Sequence, residues 1–526
     1  MVIPVSRMRS RFFLAICLLL LFTGSVVFAQ QPTRIELLNA DVSEFDESLE
    51  ANALRLIGNV AFRHEGATMQ CDSAYLYRDD NRLEAFSRIN MRQGDSLQLR
   101  GKHLYYDGNT KIAQVFEDVV LSDGRMTLHT RQLDYNLGTD IASYTDSAMI
   151  LDGDNRLSSK TGYYYSDRRD LYFKQNVLLV NPRYTLTCDT LRYNTVEKTA
   201  YFLGPTRINS SSNTMYCEQG WYNTNSQQTS FQGNSYLLTR TQMLRGDSVL
   251  YDRSSGIGRV FGHVSITDTV NRLIIRGDYG EHHELTDSSW VAGNAELVQI
   301  FDTDSLFMHA DTLLATAADS LPAASGDTAK QNNRNLFAFH HVRLFKPDLQ
   351  GRCDSIAYTL KDSTLRMFRD PVLWSGLNQL TADSIDIIAA GGGIHRLYLV
   401  NSAFIASRAD SSQTGPIDSL RFNQVRGKTM TGYFIDNNLY RIDVSGNGQT
   451  IYYARNKEEK NFAVNRADCS DMTIYLEENK VKGLSLLQSP EGVLYPVKQI
   501  STRELRLKGF NWKEAQRPID RAAIFR

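Results

Sequence analysis

An all-β fold built from stacked cycles of about 29 residues is the architecture this sequence predicts. Three observations carry that expectation. A small residue followed by Asp or another polar residue recurs at a nearly constant interval. Apolar and polar residues alternate on either side of it. Outside the N-terminus no long segment shows apolar residues at helical spacing. Composition agrees: in 526 residues Tyr (26) and Phe (24) are abundant and Pro is scarce (11), which suits strands and turns.

The recurring anchors are Ala40, Cys71, Gly101, Thr130, Lys160, Cys188, Cys217, Gly246, Gly277, Ala310, Cys353, Ala382, Gly427 and Cys469. They are separated by 31, 30, 29, 30, 28, 29, 29, 31, 33, 43, 29, 45 and 42 residues. The longest intervals hold polar insertions, clearest at Ala318 to Asn335 and Ser407 to Pro416, which read as surface loops in an otherwise regular stack.

Within a cycle such as LTCDTLRYN (Leu186 to Asn194) or LRGDSVLYD (Leu244 to Asp252), apolar residues fall at offsets +3 and +5 after the anchor and at −2 before it. Period-two alternation marks a strand with one buried face. The change of parity predicts a bend or bulge at the anchor, where a small side chain relieves crowding and Asp caps the turn. A second signature lies midway and is expected to open another strand: Gly58 to Val60, Glu117 to Val119, Gln175 to Val177, Gly262 to Val264, Gly293 to Ala295 and His340 to Val342. One cycle cannot bury its own apolar face, so cycles must stack in series, giving an elongated, solenoid-like body.

This phase accounts for the two Arg-Gly-Asp tripeptides at Arg245 to Asp247 and Arg276 to Asp278, whose Gly and Asp occupy the anchor step. An adhesion role is not needed to explain them.

Arg7, Arg9 and Arg11 precede an apolar run from Phe12 to Phe22, with small residues before a cleavage site after Ala29, the pattern of a secretory signal peptide. The organisation expected is a signal peptide at 1–29, a repeat array at 30–316, a polar insertion loop at 317–335, a continued array at 336–500 with an insertion near 407–420, and a basic, aromatic tail at 501–526. The formal net charge of −1 offers no global attraction to nucleic acid. All five cysteines of the mature chain, Cys71, Cys188, Cys217, Cys353 and Cys469, occupy anchors, which favours use as small buried residues; a Cys188 to Cys217 bridge is the alternative.

Signals for catalysis or a cofactor are weak. Asp appears once per cycle rather than in dense calcium-binding nonapeptides. In EHHE (Glu281 to Glu284) a strand would point His282 and His283 to opposite faces, which makes them poor joint ligands. There is no Gly-x-Ser-x-Gly elbow or phosphate-cradling loop, and Gly391 to Gly393 reads as a turn. No cofactor and no metal are expected. Three classes remain: a carrier with an open apolar interior, an envelope scaffold with a filled one, and a polysaccharide-acting β-helix enzyme whose site the sequence cannot display.

The cycles, above all Val60 to Asp123, resemble the OstA-like or LptA-type family, with its glycine-Asn-Val strand followed by a small-Asp-x-apolar-x-Tyr strand. The likeness runs from Asp41 to about Tyr453. It implies a β-jellyroll or half-open β-taco in the periplasm, associated with outer-membrane assembly, that carries lipopolysaccharide or a related glycolipid without catalysis. It also implies that the positions at +3 and +5, Leu104, Tyr106, Leu133, Tyr135, Tyr163, Tyr165, Leu191, Tyr193, Val249 and Tyr251, line a groove for acyl chains, while +4 positions such as Arg192 and Leu250 face away. Other envelope transport proteins are the expected partners. The tail, with seven basic residues against three acidic ones, either folds back as a cap or docks on such a partner through Trp512 and the Arg517-Pro518 turn.

Overall fold

A computed structural model of the chain describes residues 33–526 except 46–52, 212, 240–241, 287, 319–333, 360, 391–392, 411–414, 436–437, 456–460, 478–479, 498–500 and 502–504. The signal peptide and most of the 317–335 insertion lie outside the described residues. The chain divides into two compact units, Met1–Arg169 and Asp170–Arg526. In each, successive strands pair antiparallel through short turns, giving the all-β stack of bent strands expected.

The alternation in sequence becomes burial directly. Arg82–Gln93 buries Leu83, Ala85, Ile89 and Met91; Leu97–Asp107 buries Leu97, Leu99, Leu104 and Tyr106. The pairing between them slips in mid-course. There Ser87 and Arg88 take left-handed backbone angles, φ 62° and 47°, and the register slips between Phe86↔His103 and Ile89↔Gly101. Two residues on one strand face one on its partner, a β-bulge that bends the strand while keeping its apolar side chains on the inside.

The two sequence signatures meet at this bulge. Gly58/Asn59, Glu117/Asp118, Gln175/Asn176, Gly293/Asn294 and His340/His341 are left-handed pairs. They therefore lie in the middle of long strands such as Leu54–His64 and Asp170–Asn181, rather than opening new ones. A bulge leaves the ladder intact on both sides, so one strand runs through it.

The recurrent Asp sits on the adjacent strand and pins the bulge instead of capping a turn of its own. Asn59 Nδ2 donates to Asp41 at 2.8 Å, Asn234 Nδ2 to Glu218 at 2.7 Å and Asn294 Nδ2 to Asp278 at 2.8 Å, and His263 Nδ1 bonds Asp247 at 2.9 Å. The small anchor has an equally local cause: a Cβ on Gly246 would lie 2.2 Å from Val260 Cγ1. Both halves of the Arg-Gly-Asp question are settled by contacts between neighbouring strands.

Each bent strand contributes one half to each of two walls that face one another across an apolar interior. In the second unit a continuous core runs from Ile275 and Val291 through Leu344, Cys353 and Ile385 to Met472 and Ile474. Some strands here break in two at the bend. Thr364–Phe368 and Val372–Ser375 both pair with Leu349–Thr359, and the break holds Arg369 and Asp370 at positive φ.

After Glu491–Pro496 the chain turns back, and residues 505–526 form a strap over the outer face of one wall, crossing its strands in reverse order. Leu505 and Leu507 lie at Gln424, Asn511 and Lys513 at Gln379, Arg517 at Gln350, and Arg521 at Glu296. Phe510 and Trp512 pack on Phe422 with ring centroids 5.0 and 4.9 Å apart. The tail thus folds back, but along the wall: the final strands still expose Leu487, Val493 and Leu494. Trp512 and Arg517, nominated for docking, are engaged within the chain.

Candidate functional site

The interior shared by the two walls is the feature a ligand would use, and it differs between the units. In the first unit it is filled. Leu104, Leu133 and Tyr135 are each 1 % exposed and Tyr106 is 0 % exposed. Tyrosines also clasp the two walls together. The Tyr106 hydroxyl bonds His64 Nδ1 at 2.5 Å, Tyr135 donates to Gln93 Oε1 at 2.6 Å and Tyr164 to Asp123 Oδ2 at 2.9 Å, each reaching 41 or 42 residues back to the opposite wall. Burial pushes all three hydroxyls above the ordinary tyrosine pKa.

One lining assignment is displaced by a residue. Tyr163 is 38 % exposed and Tyr165 half-buried on the outer face, while Tyr164 is the buried residue, opposite Ala142. The anchor of that cycle is Ser159, which is buried against Tyr144 with 2.5 Å between their hydroxyl oxygens, rather than the exposed Lys160. Three consecutive tyrosines hide the parity, and only the pairing with Ala142 fixes it.

In the second unit Leu191 is buried and Tyr193 half-buried. From Thr214–Asn223 through Leu273–His283 the floor of the interior stays sealed by Cys217, Val260 and Val264, but its sides open: Met215, Tyr222, Leu244, Val249, Tyr251 and His282 are all half-buried. The cause is in the sequence. Cross-strand pairing places Gly220 and Gly280 in the row of Leu191, Phe231 and Val249, and Gly258 opposite Tyr251 in the next row. Of the five strands, two thus lack an inward side chain in the first row and one in the next.

Tyr251, in this stretch, bonds its own wall instead of the facing one. Tyr251 donates to Glu284 Oε2 on its own wall at 2.8 Å, and burial together with that carboxylate pushes its hydroxyl to about 12. Tyr184 stands half-buried on the facing wall near Tyr222 and Arg253, its hydroxyl pushed to about 12 by burial. The result is an apolar trough with a closed floor and tyrosines at its rim. From Ser288–Ile300 onward the interior fills again with Val291, Leu297, Met308 and Leu313. The glycines were visible in the sequence, but their placement on the inner row needed the strand register.

Elsewhere, Glu281 accepts from Tyr279, His283 and Arg259, which outweigh its burial and hold its carboxyl down at about 2. His282 turns to the other face and bonds Ser289 at 2.8 Å. The two histidines of EHHE do not converge. The five cysteines are free and buried, with Cys71, Cys188, Cys217 and Cys353 pushed to about 12.

Residues 32–189 and 183–247 match the family model described as OstA-like protein. Over that region the chain is similar to OstA-like proteins. The matched region covers all of the first unit's described strands and the second unit's strands into Gln242–Asp252, within the open trough. Among curated proteins none matches. Among solved structures the chain is similar to LptH of Pseudomonas aeruginosa, titled the LptA-homologous periplasmic component of its lipopolysaccharide transport device. That likeness has 11 % identity and a TM-score of 0.20 and covers 20 % of this chain and 82 % of that one.

Proposed function

We propose that this protein is a non-catalytic, periplasmic lipid-binding component of lipopolysaccharide transport and outer-membrane assembly, and that it holds acyl chains in the trough between Thr214 and His283. The observation that carries the reading is the run of inward glycines, Gly220, Gly258 and Gly280, which leaves apolar rims accessible above a sealed floor. Acyl chains need no directional partners, so aliphatic and aromatic walls suffice to bind them. Tyrosine hydroxyls and Arg253 at the rim suit the polar end of an amphiphile. Other envelope transport proteins are its proposed partners.

A second reading, an envelope scaffold, draws on the first unit, whose interior is packed with its own side chains. One experiment weighs the two. Photo-crosslinking residues at Tyr222, Val249 and Tyr251 should capture lipopolysaccharide in cells, and those at Arg192 and Leu250, which face outward, should not. Equal capture at both sets, or none at either, overturns carriage in this trough. Positions Leu104 and Leu133 report on the first unit, where the filled interior predicts little capture.

A further inference from the structure

We propose that the C-terminal strap is a splint that keeps the second unit's interior closed, and that its last latch, Arg521 on Glu296, fixes where the open trough ends. This rests on the trough reading for its functional meaning but not for its test.

The far end of the strap lies at the edge of the open stretch. Residues 505–526 cover the wall from Phe422–Arg426 back to Ser288–Ile300, and under that cover the interior is packed. At Glu296 the strap turns back, Phe525 packing on His309 with ring centroids 4.8 Å apart, and the strand on the other side of Glu296, Leu273–His283, is the last of the open stretch. The attachment is built rather than incidental. Gln424 donates to Leu505 O at 2.9 Å and accepts from Leu507 N–H at 2.9 Å; Gln379 donates to Asn511 O at 2.7 Å and accepts from Lys513 N–H at 2.7 Å. Twice, a wall carboxamide takes the place of a neighbouring strand and pairs with the main chain of residues i and i+2. These glutamines are 1 and 2 % exposed, so without the strap's carbonyls and N–H groups they would be buried or newly bared polar groups.

Trp374 lies on the same outer face, opposite Gln350, and is 0 % exposed. The strands under the strap here are the short halves Val372–Ser375 and Asn378–Thr381, each four residues long. A third layer over such pieces restrains them against the opposite wall. The latch ties that layer to the boundary: Glu296 binds Arg521 of the strap at 2.6 and 2.7 Å and Arg276 of Leu273–His283 at 2.8 Å.

Native cysteines report on the splint without any lipid. Cys353 faces the strapped interior, and Cys71 lies in the first unit as an internal control. Maleimide labelling, located by mass spectrometry, is compared in the mature protein, in Arg521→Ala, in Glu296→Gln and in a chain truncated after Lys508. Labelling of Cys353 should rise about tenfold in Arg521→Ala and further in the truncated chain, with Cys71 unchanged, as expected for a local opening made easier. Hydrogen exchange should quicken in Val372–Ser375 and Asn378–Thr381. An unchanged Cys353 rate in the truncated chain overturns the splint, as does a parallel rise at Cys71, which would mean general loss of stability. If Cys353 responds while no site captures lipopolysaccharide, the splint stands and the carrier reading falls.

Discussion

Glu296 and Arg521 lie 225 residues apart in the chain and form a two-point ion pair, Nε to Oε1 at 2.6 Å and Nη2 to Oε2 at 2.7 Å. Burial opposes the charge on Glu296, but Arg521 and Arg276 outweigh it and hold the carboxyl below its ordinary value. A carboxyl depressed in the folded state stabilises that state above its unfolded pKa and loses the contribution as pH falls through the folded one. The strap is therefore expected to hold at neutral pH and to loosen in acid, below the ordinary glutamate range. Tryptophan fluorescence, which sees Trp374 on the strapped face and Trp512 in the strap itself, should show this acid transition. Glu296→Gln should abolish it; an identical transition in that variant would assign it to other groups.

The tyrosine clasps of the first unit are expected to hold its walls together. Tyr106→Phe leaves His64 Nδ1 buried without its 2.5 Å partner, a loss of about 1–3 kcal/mol. Tyr135→Phe should cost about 1 kcal/mol, since Gln93 keeps its 2.8 Å bond to Asp140. Leu133→Ala, a cavity in a sealed interior, should cost about 2–5 kcal/mol. Urea unfolding gives this order directly. A neutral Tyr106→Phe would show that packing alone closes the walls.

Much of this architecture is legible in residue spacing, because each cycle obeys the same local physics. The parity change at the anchor announces the bulge, and the small residue and Asp announce crowding at one point. What the spacing could not show is which strand carries the left-handed pair: GNV and its variants read as strand openings until their pairing with the anchor strand is known. The displaced assignment at Tyr163 and Tyr165 has a similar source, since an unbroken run of tyrosines carries no parity.

The strap was hidden for a different reason. Gln350, Gln379 and Gln424 look like ordinary outward residues, three positions before their anchors, and become recognition groups only when a tail over 80 residues away lies on them. Irregular spacing of Phe510, Trp512, Ile519 and Phe525 does signal that the tail is neither helix nor rung. Its partner lies in tertiary structure.

The Arg-Gly-Asp steps yield a prediction opposite to the adhesion reading. Gly246→Ala pushes a methyl to 2.2 Å from Val260 Cγ1 and should cost about 1–3 kcal/mol by overpacking. Asp247→Ala removes a bond to His263 on the exposed bend and should cost little, since both side chains are in water. Thermal unfolding of the two variants separates them. A larger loss for Asp247→Ala would mean that the bulge pin, rather than close approach, dictates the motif.

The inward glycines of the trough are not equivalent, and the difference provides a direct test of the open interior. A Cβ at Gly220 would lie 2.4 Å from the Ser230 carbonyl oxygen, a backbone atom that cannot swing aside, so Gly220→Ala should destabilise by about 1–3 kcal/mol. At Gly258 the nearest atom is Tyr251 Cδ2 at 3.5 Å, an ordinary contact, and the space beyond it is the trough itself. Gly258→Leu should therefore leave the unfolding midpoint within about 0.5 kcal/mol of the parent, or raise it by burying apolar surface. If acyl chains occupy this stretch, the new side chain takes their place, and photo-crosslinking of lipopolysaccharide at Tyr251 should fall while the protein stays folded. A folded Gly258→Leu that captures lipid as well as the parent would place the ligand elsewhere; a variant that cannot fold would show that the interior opposite Tyr251 has no room to fill.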